Sequence, residues 1–157
     1  VLQGISFISR SLTMRQMQAR YVAADCYVSA YRAEGFNMPP LEAAACGVPI
    51  IVTRGGATDG YYDPRLGYTI DSRVVMDGRR RTLEPDLDSL IHNIETVMAR
   101  PGAVGGAAGS RYVHDRFSWK AICDDMLPVI FDQPRARRRG RSRRIAPCGS
   151  GPPHARR

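Results

Sequence analysis

Residues 26–53 decide the fold. Cys26-Tyr27-Val28-Ser29 opens the stretch, Glu34-Gly35-Phe36-Asn37-Met38-Pro39-Pro40-Leu41-Glu42-Ala43-Ala44-Ala45-Cys46-Gly47-Val48-Pro49 follows, and Pro49-Ile50-Ile51-Val52-Thr53, sharing Pro49, closes it. The outer runs are short and β-prone, so each reads as a strand. Between them, Pro39 and Pro40 stand where a first helical turn accepts proline, and Gly47 stands where a helix ends in a left-handed residue. The stretch therefore reads as strand, helix, strand.

Upstream, Ile5-Ser6-Phe7-Ile8 is another apolar, β-prone run, followed by Ser9-Arg10-Ser11-Leu12-Thr13 with helix-capping hydroxyls. Met14, Met17, Tyr21 and Ala24 recur at helical spacing, which predicts an amphipathic helix over 13–24 with its methionine stripe in the core. Strand, helix, strand, helix, strand is the pattern of parallel βαβ units, so the expected class is α/β with a doubly wound parallel sheet and flanking helices.

Downstream, Arg54-Gly55-Gly56-Ala57-Thr58-Asp59-Gly60 forms a loop and Gly67-Tyr68-Thr69-Ile70 a short strand. Leu87, Leu90, Ile91, Ile94, Val97 and Met98 mark a helix that begins near Pro85-Asp86 and stops at Pro101-Gly102, with His92 among its solvated positions. The Gly/Ala-rich segment 102–109 gives only a weak helical signal, with Tyr112, Val113 and Phe117 packing after it. Ser118 reads as the N-cap of a last helix carrying Trp119, Ile122, Met126, Leu127 and Ile130, and the fold is expected to end near Asp132.

Composition bounds the remaining possibilities. A chain of 157 residues with 43% hydrophobic content supports one domain with an ordinary core. No apolar run approaches the roughly 18 residues that span a bilayer, and the first residues lack a signal-peptide layout, so a cytoplasmic protein is expected. Cys26, Cys46, Cys123 and Cys148 form no C-x-x-C pair, which argues against a zinc site or a disulfide framework; Cys26 and Cys46 read as buried thiols. His114 has no companion ligand at metal spacing, so no metal is expected.

The formal charge of +8 divides unevenly. Residues 1–134 hold 14 of the 23 basic side chains and all 15 acidic ones, a net of −1; residues 135–157 hold the other 9 and no acid. That Arg/Pro/Gly-rich end has too little apolar content for a core and reads as a disordered tail. A nucleic-acid arm, a solvated tail and an out-of-frame segment all fit its composition. The absence of interleaved aromatic residues argues against nucleic acid.

Two carboxylates, Glu34 and Glu42, lie eight positions apart just past the strand ending near Ser29. In an open α/β sheet, ligands collect outside the carboxyl ends of the strands. Glu42 is expected in the first helical turn, where the helix dipole favours a carboxylate, and an ionised carboxylate accepts two hydroxyl donors such as a vicinal diol. Gly35 lets backbone approach a ligand, and the free amides of Asn37 and Met38 suit an anion. A first-turn charge beside a solvated loop residue, or an acid and base pair of a hydrolase, fits the same spacing.

The Glu34/Glu42 pair with Gly35-Phe36, Pro39, Leu41, Ala43 and Ala45-Cys46-Gly47-Val48-Pro49 resembles the E-x7-E signature of group 1 glycosyltransferases, the retaining family 4 of GT-B enzymes. Similarity extends to Ala23-Ala24-Asp25-Cys26-Tyr27-Val28-Ser29, to Gly55-Gly56-Ala57-Thr58-Asp59 and to Phe117-Ser118-Trp119. The resemblance implies an incomplete Rossmann-like domain, the GT-B C-terminal half, over 1–133, with the tail over 134–157. It implies a nucleotide-diphosphate sugar as substrate, with no cofactor or metal. Glu42 would accept the ribose hydroxyls, and Glu34 would hold a donor-sugar hydroxyl as the catalytic carboxylate. The backbone of Gly35, Phe36 and Asn37 would line the sugar, and that of Met38 would approach the diphosphate. Asn37 stands where the family often has Gly. The acceptor (saccharide, lipid-linked or protein) is left open, and an intact parent is expected in the cytoplasm, peripheral to the membrane. Because the acceptor domain and the diphosphate clamp have no counterpart here, the chain alone is expected to be inactive. The alternative is a non-enzymatic fragment or interaction module that pairs with another chain.

Overall fold

The computed structural model describes residues 4–131. The chain divides into two units, Val1–Ile122 and Cys123–Arg157. The tail over 134–157 and Cys148 lie outside the described residues.

The first unit is built on a parallel sheet of β1 (Tyr27–Ser29), β2 (Ile50–Thr53) and β3 (Gly67–Ile70), in the order β1-β2-β3. Tyr27 pairs with Ile50, and Ile50 with Gly67. All four residues of β2 are buried, and successive side chains point to opposite faces, as the strand period of two requires. Ile50 and Val52 join a core with Tyr21, Leu41, Ala43, Ala44, Val48, Tyr61, Leu66 and Val113. Ile51 joins Ile70 and Val97 on the other face, against Leu90 and Ile94. The central strand β2 is the most apolar of the three because both of its faces are covered.

α1 (Met14–Val22) starts at a capping box. The Thr13 hydroxyl accepts the Gln16 N–H (3.3 Å), and the Gln16 side chain accepts the Thr13 N–H (3.0 Å). Tyr21 is its one buried residue and Met14 is exposed, so the expected methionine stripe meets the core only at Met17. α2 (Met38–Ala45) ends where the pattern predicts: Gly47 N–H donates to the Ala44 carbonyl (2.9 Å) and Val48 N–H to that of Ala43 (3.1 Å), with Gly47 at φ 82°. α3 (Leu87–Ala99) begins where the Asp86 carboxylate accepts the Ser89 N–H at 2.7 Å. His92 is exposed on it.

Three elements depart from expectation. Ile5–Ile8 forms no strand; its apolar side chains are exposed (Phe7 89%), and it has no pairing neighbour among the described residues. The Gly/Ala-rich segment does enter a helix, α4 (Gly106–Phe117). Tertiary contacts hold it against α2, with the Gly106 N–H on the Gly47 carbonyl (2.8 Å) and the Ser110 hydroxyl on that of Ala45 (2.7 Å). Propensity alone does not register such anchors.

The third departure is an antiparallel hairpin of β4 (Ser72–Asp77) and β5 (Arg80–Pro85). Its two-residue turn, Gly78-Arg79, places glycine in the left-handed region at φ 58°. Gly78 after the β-prone run Val74-Val75-Met76 is its local mark in the sequence. α5 (Trp119–Ile130) has no buried residue; the Ser118 hydroxyl caps it by accepting the Ala121 N–H (3.3 Å), and Trp119 is 85% exposed. The second unit is described only over Cys123–Phe131, the later part of α5.

Ile51→Ala removes a side chain with no exposed surface from the α3 face. It should cost about 2–5 kcal/mol, read as a lower urea midpoint at unchanged slope.

Candidate functional site

Because the three strands are parallel, the loops following β1 and β2 emerge at one end of the sheet. Three of their backbone groups, the Tyr31 and Thr58 N–H and the Thr53 carbonyl, are paired in one buried cluster. The Thr53 hydroxyl accepts the Tyr31 N–H (3.1 Å), and the Thr53 carbonyl accepts the Thr58 hydroxyl (2.7 Å). The Tyr31 hydroxyl accepts the Thr58 N–H (3.1 Å) and lies 3.1 Å from the Thr53 carbonyl. Buried polar groups are costly unless paired, so this cluster fixes where the 31–37 loop leaves the sheet.

Asn37 is the N-cap of α2 and sits at φ 62°, left-handed, the only such residue besides glycines among those described. Asparagine is among the few L-residues that visit this region readily, which accounts physically for an exchange between Gly and Asn here. Its side-chain amide donates to the Ser29 hydroxyl (2.8 Å), and its carbonyl accepts the Tyr61 hydroxyl (2.9 Å). No side chain caps the first-turn amides of α2. Phe36 packs on Tyr61 (centroids 5.4 Å apart), Tyr61 on Phe117 (6.3 Å) and Phe117 on Tyr112 (6.1 Å), an aromatic chain from the loop to α4.

Glu42 differs from expectation. The helix starts at Met38, so Glu42 is its fifth residue and the first turn holds no acid. The local partner of its carboxylate is therefore α1, not the helix terminus: the Tyr21 hydroxyl donates to Oε2 at 2.9 Å. Oε1 accepts no hydrogen bond from the described residues. Burial first, then the hydrogen bond to Glu42, raises the Tyr21 hydroxyl above its ordinary pKa and keeps it a donor. Half-buried, Glu42 lines a groove of about 450 Å³ with Met14, Met17, Tyr21 and Cys46.

Glu34 is exposed in the loop and lines a separate cleft of about 300 Å³ against the β4–β5 hairpin. Gly35, Phe36 and Met38 are exposed as well, whereas Asn37 is buried. Desolvation, then the charge of Glu42 and then that of Glu34, raises the Tyr27 phenol; the two carboxylates thus share an electrostatic neighbour while opening into different grooves. Burial and the Glu42 charge likewise raise the Cys46 thiol. No three His, Cys, Asp or Glu side chains cluster as metal ligands among the described residues. No helix described is long and apolar enough to cross a membrane.

A parallel sheet with helices on its faces is a fold of the Rossmann-like class, in which ligands collect outside the carboxyl ends of the strands. The chain belongs to the glycosyl transferases group 1 family, which it matches over residues 2–99. It is 28% identical over 144 residues to a GDP-mannose-dependent monoacylated alpha-(1-6)-phosphatidylinositol monomannoside mannosyltransferase of Corynebacterium glutamicum, covering 86% of this chain and 34% of that one. It is 28% identical over 122 residues to a GDP-mannose-dependent alpha-(1-6)-phosphatidylinositol monomannoside mannosyltransferase of Mycolicibacterium smegmatis (71% and 29%). Over 67 residues it is 34% identical to a D-inositol 3-phosphate glycosyltransferase of Pseudarthrobacter chlorophenolicus (42% and 16%). The chain spans about a third or less of the length of these relatives. The fold is that of a Rossmann-like GT-B half, and the family is one of sugar transferases.

Asn37→Val introduces a β-branched residue into the left-handed region and removes the Ser29 bond. It should destabilise the chain by about 2 kcal/mol or more, and Asn37→Gly by less, in paired chemical denaturation. Tyr21 and Tyr61 both hold their protons more tightly folded than unfolded. Their contribution is complete below the ordinary tyrosine value of about 10 and declines as pH rises past it. Tyr21→Phe should flatten part of that alkaline decline, measured as stability from pH 8 to 11.

Proposed function

We propose that this chain carries the donor-binding half of an enzyme that transfers a sugar from a nucleotide diphosphate to an acceptor with retention of anomeric configuration. The observation that carries the reading is the state of Glu42: oriented by Tyr21 through Oε2, half-buried at a groove, and with Oε1 accepting nothing from the described residues. A carboxylate so held accepts the hydroxyls of a ribose. Glu34, exposed one loop away, holds a donor-sugar hydroxyl and is the catalytic carboxylate. The backbone of Gly35, Phe36 and Asn37 lines the sugar, and the uncapped turn at Met38 faces the diphosphate.

Catalysis in the intact protein then rests on positioning the donor and stabilising its departing diphosphate, without a metal or cofactor. Two relatives are named for GDP-mannose, which makes it the first donor to test. The acceptor is a saccharide, a lipid-linked sugar or a protein, and the intact enzyme works in the cytoplasm, peripheral to the membrane. The isolated chain transfers no sugar at an intact enzyme's rate.

Thermal unfolding with and without GDP-mannose tests this. A ligand at a hundred times its Kd stabilises by about 2.7 kcal/mol, a rise of several degrees. Glu42→Ala should abolish the rise and Glu34→Ala should reduce it. If the rise is absent in wild type, or unchanged in Glu42→Ala, the donor reading fails.

A second reading is favoured by the outer edges of β1 and β3, which pair with no further strand among the described residues, and by exposed Ile5, Phe7 and Ile8. In that reading the chain is an interaction module completed by another chain. Size-exclusion chromatography of the purified protein separates the two, since a module of this kind elutes as an oligomer or aggregate.

A further inference from the structure

The β4–β5 hairpin is tied to both loops at the carboxyl end of the sheet. Leu83 N–H donates to the Arg32 carbonyl (2.7 Å), and the Arg32 guanidinium pairs with Glu84 (2.6 Å). The Ser72 hydroxyl donates to the Arg54 carbonyl (2.6 Å), and the Arg54 guanidinium pairs with Asp71 (3.1 Å). The Arg32–Leu83 contact borders a cleft of about 300 Å³ between the hairpin and the loops, where Glu34 and Arg81 line the same space.

The chemistry of that space is two-sided. Arg32 is neutralised by Glu84, whereas neither Glu34 nor Arg81 makes an ion pair among the described residues. The Gly55 N–H is held by the Asp59 carboxylate (3.0 Å). Those of Gly56 and Ala57, which also line the cleft, donate to no acceptor among the described residues. A Cβ at Gly56 would approach the Tyr31 hydroxyl and Leu83 Cδ1 at 2.9 Å, so close packing there requires glycine. The cleft thus offers a hydroxyl acceptor at Glu34, and a planar fork of donors at Arg81 with backbone N–H groups suited to phosphoryl oxygens.

We infer that Arg81 is a specificity-determining residue that recognises a phosphoryl group on a polyhydroxylated substrate whose hydroxyls are held by Glu34. This rests on the reading of Glu34 as a hydroxyl-holding carboxylate. The ligand class is a sugar or polyol phosphate ester. Its source is either the donor, a sugar on a diphosphate, or a phosphorylated polyol acceptor.

Calorimetric titration of the full chain tests it, with GDP-mannose for the donor source, myo-inositol 1-phosphate for the acceptor source, and myo-inositol as the unphosphorylated control. Arg81→Ala should weaken a phosphorylated probe about tenfold or more and leave the control unchanged. Arg81→Lys should recover part of the loss, because it restores charge without the fork, and Arg79→Ala at the hairpin turn should have no effect. A loss confined to GDP-mannose assigns the group to the donor, and one confined to the inositol phosphate assigns it to the acceptor. Equal affinities of Arg81→Ala and wild type for both phosphorylated probes, or no binding of either by wild type, overturn the inference. Glu42→Ala, tested on GDP-mannose alone, reads the donor assignment separately.

Discussion

Strand β2 has a neighbour on each edge and a layer of side chains on each face, and none of its four residues sees water. A strand in that position must have every backbone group paired, including the carbonyl at its end, where the ladder stops. At Thr53 the pairing comes from the Tyr31 and Thr58 side chains, and those two residues belong to the loops that shape the candidate site. The demand for a dry, satisfied strand end is thereby converted into loop geometry. The hairpin then leans on the same loops through Leu83 and Ser72, so its placement follows from the same constraint.

The sheet and most helices were legible because their signals are local. The strand 67–70, the helix bounded by Asp86 and Pro101, and the cap pair of Pro39 and Gly47 each follow from a few neighbouring residues. Elements that failed depend on distant partners. Ile5–Ile8 has strand composition but no strand to pair with among the described residues, and α4 is poor in helix signal yet held by Ala45 and Gly47. The hairpin's turn is marked by Gly78, although only Leu83 of β5 is buried, so its apolar pattern is faint.

The site was half legible. Spacing picked out Glu34 and Glu42, and family likeness supplied their proposed roles. What sequence could not give was the Tyr21 hydroxyl, since the two residues lie 21 positions apart, on different helices. It also misplaced the electrostatics of Glu42 by a single turn: one residue's difference in helix start moves the carboxylate beyond the reach of terminal amides and makes a phenol its partner. Asn37 was noted as a departure, and its left-handed backbone, visible only in three dimensions, is what makes the residue intelligible.

The aromatic chain from Phe36 through Tyr61 to Phe117 and Tyr112 joins the loop bearing the candidate sugar contacts to a helix that begins after the family match ends at residue 99. The family-model match and the mechanical support therefore have different boundaries in this chain. A piece cut at residue 99 would keep both carboxylates yet lose the far end of the stack that steadies the loop between them.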